Sequence, residues 1–444
     1  MSEQSTGATG TSPTSAERSP PAIARLVLLL GILTGVVSIV LTPFANSDQL
    51  MLASDVYFHA GETHLDGESF YDVAPPDRDG FYYLYPPITI LVFLPHAFLG
   101  SEVASFLLQT LLNLGFGIAL ATVIWRALDR RGLAITRVDR LLLVGFALVS
   151  AHSAINLVNG QVNIWLAFAL AIGFDALDRQ AGVDESGQST SSADERASRL
   201  PGIGRSELAG VAFAVAALVK IFPTLLGLWL VRLRAWRGVA AAIATGLGGL
   251  VLGLVAFGPD LTVTYFEDVL LARYEEQAFE GRPDPTQTTD GFPRQLAALG
   301  VPSSLQTLLS GAILAPVVAA LYRDVGTDVR RQAAVLGTVI AMLLLFPLPS
   351  LYFPLLAFPL VVLLYVLPAG WPRRVLVVGV LVSYVRTDYA LAADVVTAVG
   401  LPSSLETPLL SALETLFTFV LPPTLGLWIL LGACLLVHWR DTRT

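Results

Sequence analysis

Apolar runs, most of them near the length of a membrane-crossing helix, alternate along this 444-residue chain with polar stretches that begin or end in arginine or acidic residues. A helix needs about 20 apolar residues to cross the hydrocarbon layer. Residues 23–43, 104–125, 141–158, 162–177, 239–257, 305–321, 333–346, 352–366, 375–384 and 416–439 read as spans on this pattern. Residues 88–99 are apolar but too short to cross, and are expected to lie in the interface as a juxtamembrane helix. Residues 208–231 pose a different problem, because Arg205 precedes them and Arg232, Arg234 and Arg237 follow. Arginine near span ends favours the cytoplasmic side, so both ends belong there. Two short helices meeting near Lys220 and Pro223 satisfy this, and they carry Lys220 to the outer membrane face.

The same rule orders the rest of the chain. Arg18 and Arg25 place the N-terminus in the cytoplasm, Arg126, Arg130, Arg131, Arg137 and Arg140 mark the most basic short cytoplasmic loop, and Arg440 brings the C-terminus back inside. The expectation is an all-α, polytopic membrane protein of about twelve transmembrane helices with two large external loops and both termini cytoplasmic. The first loop with its juxtamembrane helix covers residues 44–102, and the second covers 258–302. Residues 1–20, rich in Ser, Thr and Gly, read as a disordered cytoplasmic tail, residues 178–206 as a flexible cytoplasmic linker, and 21–444 as a single transmembrane domain. The first apolar run follows a polar tail and is long enough to span, so it reads as an anchor and not as a cleaved leader.

Composition narrows the class further. With 54% hydrophobic and 14% charged residues and a mean hydropathy of +0.66, the chain is no soluble enzyme with a large core. The net charge of −8 gives no footing for a nucleic-acid partner. Cys434 is the only cysteine, which excludes a disulfide framework or a thiolate metal cluster within one chain.

Few residues inside this apolar frame carry chemistry. Lys220, the sole lysine, lies in an apolar stretch. An ammonium at such depth is costly unless it is paired, snorkels or faces a wet cavity, and an anionic lipid phosphate is a natural partner. In the first loop Asp55 follows the first span by about a dozen residues and is placed to act as a general base toward a sugar hydroxyl. The plain alternative is that Asp55 caps the helix after it, and Asp48, Asp66, Asp72, Asp77 and Asp79 compete for the role. His59 and His64 lie near these acids, but their irregular spacing is a weak metal signature. Tyr82, Tyr83 and Tyr85 fit an interfacial aromatic belt, and Pro86-Pro87 marks an extended lead into a helix.

Four elements occur in order: the aspartate after the first span, Tyr85-Pro86-Pro87 before a short apolar helix, Asn159-Gly160-Gln161-Val162-Asn163 opening a later span, and Lys220-Ile221-Phe222-Pro223 before an arginine-rich turn. In this the chain resembles glycosyltransferase family 87, the polyprenyl-phosphate-mannose-dependent α-mannosyltransferases of GT-C architecture. The resemblance covers about residues 23–258 and continues beyond them as a pattern of spans. The family tends to show Ser-Pro followed by aromatic and histidine residues in a late span. Here the corresponding stretch, Phe346-Pro347-Leu348-Pro349-Ser350-Leu351-Tyr352, lacks the histidine.

The resemblance implies an outer-face transfer of a hexose, mannose in the family, from a polyprenyl (dolichyl) phosphate to a glycan or glycolipid acceptor at the cell membrane. Inverting transfer needs a carboxylate to take the acceptor's proton and cations to hold the departing phosphate. Asp55 matches the family's essential acid and Lys220 its lysine-proline element. Arg294 and Arg386 are further outer-face candidates for the phosphate, and Tyr57, Tyr85, Asn159, Gln161 and Asn163 are expected to shape the acceptor site. No cofactor or metal is expected, because the donor is lipid-linked and a diester phosphate can be met by lysine or arginine. The rival classes are a secondary transporter or lipid flippase, which would show paired broken helices, and a non-catalytic scaffold.

Overall fold

A computed structural model describes residues 19–76, 78–186, 204–272 and 279–440. Residues 1–18 of the expected tail, most of the expected cytoplasmic linker, Asp77 and Arg273 lie outside the described residues. Within them the protein is helical, with one isolated bridge between Asp290 and Leu348 and no strand. The order is α1 (Ala22–Ala45), α2 (Leu52–Leu65), α3 (Ile90–Ala97), α4 (Glu102–Asp129), α5 (Arg137–Val149), α6 (Ala154–Asn159) and α7 (Asn163–Ser186). After the undescribed stretch come α8 (Arg205–Val219), α9 (Gly227–Arg232), α10 (Trp236–Thr264), α11 (Phe292–Ala298), α12 (Ser303–Tyr322) and α13 (Asp328–Leu345). The chain closes with α14 (Ala357–Val366), α15 (Trp371–Ser383), α16 (Tyr389–Ala398), α17 (Ser403–Phe419) and α18 (Pro422–Arg440). Five segments are long and apolar enough to cross a membrane: Ala22–Ala45, Glu102–Asp129, Trp236–Leu271, Ser303–Tyr322 and Pro422–Trp439. The protein is thus an all-α, multi-pass membrane protein.

Several expected spans are divided, each for a local reason. Residues 141–158 form two helices, because the chain turns at Ser150–Ser153, where Gly35 of α1 lets the Val149–Ser150 backbone come close and Ala151 N donates to Gly31 O at 2.8 Å. Residues 416–439 divide at Val420, which is extended (φ −156°, ψ 136°) just before Pro422-Pro423 restart a helix as α18. The expected linker begins later than residue 178, since α7 runs on to Ser186. The second loop, expected from residue 258, opens in helix: Gly258 makes a kink at φ +85° and the chain stays helical to Leu271.

The arginine-rich ends gather on one face of the bundle. Arg25 makes two 2.8 Å bonds to Asp139, which also closes the N-terminal capping box of α5 with Thr136. At the same end Arg131 bridges Asp178 (2.8 Å) and Asp328 (2.9 Å), Arg130 pairs with Asp175, and Arg205 donates to the Arg179 carbonyl. Arg232 reaches the Tyr322 carbonyl, and Glu207 lies 3.9 Å from Arg237. The last contact ties the start of α8 to the start of α10, so the chain between them runs out and returns. The reversal expected near Lys220 and Pro223 is observed: α8 ends at Val219, Lys220 is extended (φ −137°, ψ 122°), and a 3-10 turn at Phe222–Leu226 leads into α9. At 1.5 Å per residue α8 carries Lys220 about 22 Å from the arginine-rich face.

Candidate active site

Two neighbouring turns of α10 bring the first loop and the Lys220 reversal together. Gly249 faces Leu218 of α8, and Gly253, one turn on, faces Ile88 at the start of the juxtamembrane segment. That segment is a 3-10 turn at Pro87–Thr89 followed by α3, which packs on α2, as the short apolar run and its prolines predict. With Leu218 and Ile88 seated side by side, Lys220 meets Tyr85. Its Nζ lies 4.6 Å from the centre of the Tyr85 ring and 5.4 Å from that of Tyr352. A cation over aromatic faces is favourable, yet no carboxylate among the described residues pairs with this ammonium.

Tyr83 and Tyr85 are not an interfacial belt. Both are buried, and only Tyr82 of the three is exposed. They belong to an aromatic cluster with Tyr57, Phe70, Tyr71, Phe93 and Tyr265, in which the hydroxyls of Tyr57, Tyr71, Tyr83 and Tyr85 are hydrogen-bonded. Tyr71 donates to the Tyr85 carbonyl at 2.8 Å, and Tyr83 bonds Thr89 Oγ1 at 2.6 Å. Tyr57 shares a 2.9 Å hydrogen bond with the Tyr85 hydroxyl and donates to Gln161 Oε1 at 3.2 Å.

The Asn-Gly-Gln-Val-Asn turn knits three parts of the chain to this cluster. Gly160 takes φ +68°, and a side chain there would collide with Ser54 of α2. The Asn159 amide pairs with Gln49, before α2. The Gln161 carbonyl accepts from Asn113 at 3.0 Å while its side chain reaches Tyr57. Asn163 bonds Asn156, and both donate to the Leu351 carbonyl. Leu351 lies beside Tyr352, so the turn also holds the stretch that faces Lys220. Arg386 grips that stretch from its other side through Ser350 Oγ and the Ala151 carbonyl, with its guanidinium 5.6 Å from the Phe353 ring.

Asp55 lies in the first turns of α2, 5% exposed. Met51, in the left-handed region at φ 64°, launches the helix, and its N–H donates to the Val158 carbonyl at 2.9 Å. Asp55 caps nothing: no backbone N–H bonds its carboxylate, and among the described residues Oδ1 has no hydrogen-bond partner at all. Oδ2 lies 3.5 Å from Arg78 Nη2. Burial, and then the Glu102 carboxylate, push the Asp55 pKa up to about 6 against the opposing pull of Arg78 and His59. His59 bonds Glu102 at 2.7 Å, and His64 meets Phe70 edge-on and Phe257 at a tilt. Arg78, Glu102, Asn156 and Tyr352 are absent from the sequence-derived site. For Arg78, its standing as the one arginine of the first loop is a signal the sequence carries.

The structure therefore brings Lys220, Tyr85, Tyr57 and Gln161 into one contact chain, with Asn163 and Arg386 behind it. Asp55 is two residues from Tyr57, about 200° around α2, and its partners differ from those of Lys220. Arg294 departs from its expected place. It is wholly buried, and all five of its N–H donors end on the carbonyls of Asp284, Gln287, Thr289, Phe417 and Thr418, leaving none for a phosphate. Residues 83–347 match the model of glycosyltransferase family 87. No curated protein and no solved structure matches the chain.

Proposed function

The chain belongs to glycosyltransferase family 87, and from that premise we propose that it moves a hexose, mannose by family analogy, from a polyprenyl phosphate to a glycan or glycolipid acceptor on the outer face of the membrane. That it is a membrane glycosyltransferase follows from the family and the apolar helices together. The reading as a transporter or flippase finds no support beside this match. The donor assignment rests on one observation: the ammonium of Lys220, at the far end of the bundle from the arginine-rich face, has aromatic neighbours and, among the described residues, no carboxylate partner. Such a cation suits a phosphate whose isoprenoid tail remains in the bilayer.

In this reading Lys220 holds the departing phosphate, Arg386 adds positive charge behind the Ser350–Tyr352 segment, and Arg294 has only a structural part. Asp55 accepts the proton of the acceptor hydroxyl as that oxygen attacks the anomeric carbon and the bond to phosphate breaks. The sugar would bridge the gap between the two groups, over the Tyr57–Tyr85 pair and Gln161. No protein-bound cofactor is invoked. We place this site outside the cell membrane in a GT-C arrangement of about twelve crossings, with the shorter helices making up the number and both termini cytoplasmic. The common end shared by the arginine-rich segments supports that sidedness.

Label transfer from polyprenyl phosphate mannose to acceptors in host membranes tests the proposal. Asp55→Asn is expected to abolish transfer, and Lys220→Ala to lower kcat/KM by about two orders of magnitude, in line with the loss of one electrostatic contact to the leaving group. Transfer at the wild-type rate in Asp55→Asn would remove the base, and a Lys220→Ala enzyme with unaltered kcat/KM would remove the phosphate contact.

A further inference from the structure

The first loop supplies Asp55 with its ion-pair partner among the described residues, Arg78. Arg78 reaches back across the loop and is anchored twice, by the Asp48 carbonyl and by the Leu50 carbonyl at 2.8 Å, in the short link that joins α1 to α2. Held there, its Nη2 stands 3.5 Å from Asp55 Oδ2. The guanidinium is mostly covered, so solvent screens the pair weakly. The other charged or titratable groups facing the carboxylate are Glu102 at the start of α4 and His59 one turn along α2; Glu62 lies 3.6 Å from His59.

We propose that Arg78 is a positioning residue for the transfer reaction, fixing Asp55 as an ionised carboxylate with Oδ1 turned to the acceptor. This rests on the reading of Asp55 as the base. The forked geometry explains why arginine serves here: one planar group meets two carbonyls and a carboxylate at once. The unpartnered Oδ1 is the complement, since Arg78 occupies the other oxygen and leaves this one for an incoming hydroxyl. Burial and Glu102 both favour the protonated acid, which cannot act as a base, and Arg78 opposes them.

The pH profile of mannose transfer from polyprenyl phosphate mannose to membrane acceptors tests the proposal, in membranes holding the full-length chain. Wild type should gain activity as pH rises through about 6, as Asp55 loses its proton. Arg78→Gln should move that acid limb upward by roughly one pH unit, and its kcat should approach the wild-type value on the alkaline plateau. A uniform loss of rate with the limb unmoved would overturn the proposal and leave Arg78 as a tie within the loop. Where Arg78→Gln does not accumulate, Arg78→Lys decides, because it keeps the charge and loses the fork. An acid limb displaced upward, with kcat recovering on the alkaline plateau, supports the assignment, and a uniform loss of rate with the limb in place refutes it. Asp55→Asn separates the two layers of argument: if it transfers sugar, the base reading fails, whereas an inert Asp55→Asn beside an unshifted Arg78→Gln profile sinks the positioning role alone.

Discussion

Two buried or half-buried cations illustrate how differently the same charge can be used. Arg294 ends on main-chain oxygens, among them the Phe417 and Thr418 carbonyls at the C-terminus of α17, where helix geometry leaves carbonyls without donors. Lys220 has rings for neighbours. Arg294→Met should therefore lower stability by about 3 kcal/mol, since several carbonyls lose their donor together, while Lys220→Met should leave thermal unfolding in detergent nearly unchanged. Equal melting temperatures for the two variants would contradict this division. From sequence both read as outer-face candidates for a phosphate, Lys220 in an apolar run and Arg294 in the second external loop. What separates them is a set of carbonyls contributed by Asp284, Gln287 and Thr289 and by a helix more than 120 positions away, and carbonyls carry no sequence signature. Lys220 was legible because a single ammonium in an apolar run has few explanations. Arg78 carried one signal, as the only arginine of the first loop, but its anchors are main-chain atoms and left no pattern.

At the scale of elements, close approach through glycine decides what sits beside what. Gly210 of α8 lies so near α10 that an added Cβ would fall 2.0 Å from the Gly238 carbonyl. Gly210→Leu should force the two helices apart and displace the reversal that carries Lys220. The expected outcome is a strongly destabilised protein, with reduced yield and a lowered melting temperature, whereas Gly246→Leu, on an open part of α10, should be tolerated. The reversal itself was readable, because arginines at both ends of residues 208–231 demand it. So was the short helix after Pro86-Pro87. The divisions at Ser150–Ser153 and Val420 were not readable from hydropathy, which registers apolar length and is blind to a backbone that bends onto a neighbouring helix.

Across the whole molecule, charge sorts the two ends. Arginines and their acidic partners lock α4, α7 and α13 together at one end, and the aromatic cluster with Asp55 and Lys220 lies at the other. Single cysteines test this sidedness, since the native Cys434 is buried. Positions 68 and 286 should react with an impermeant maleimide in intact cells, and position 323 only after permeabilisation. Labelling of all three from outside would contradict the arrangement. One further consequence follows from the two glycines of α10, at 249 and 253, that seat Leu218 and Ile88. Because a single rod carries both the lysine-bearing bend and the tyrosine-bearing strap, a tilt of that rod translates them as one jig. Their mutual spacing is then set at folding, and under the proposed reaction a lipid-linked sugar arriving sideways from the bilayer meets a template cut to length in advance, with little reorganisation left to perform.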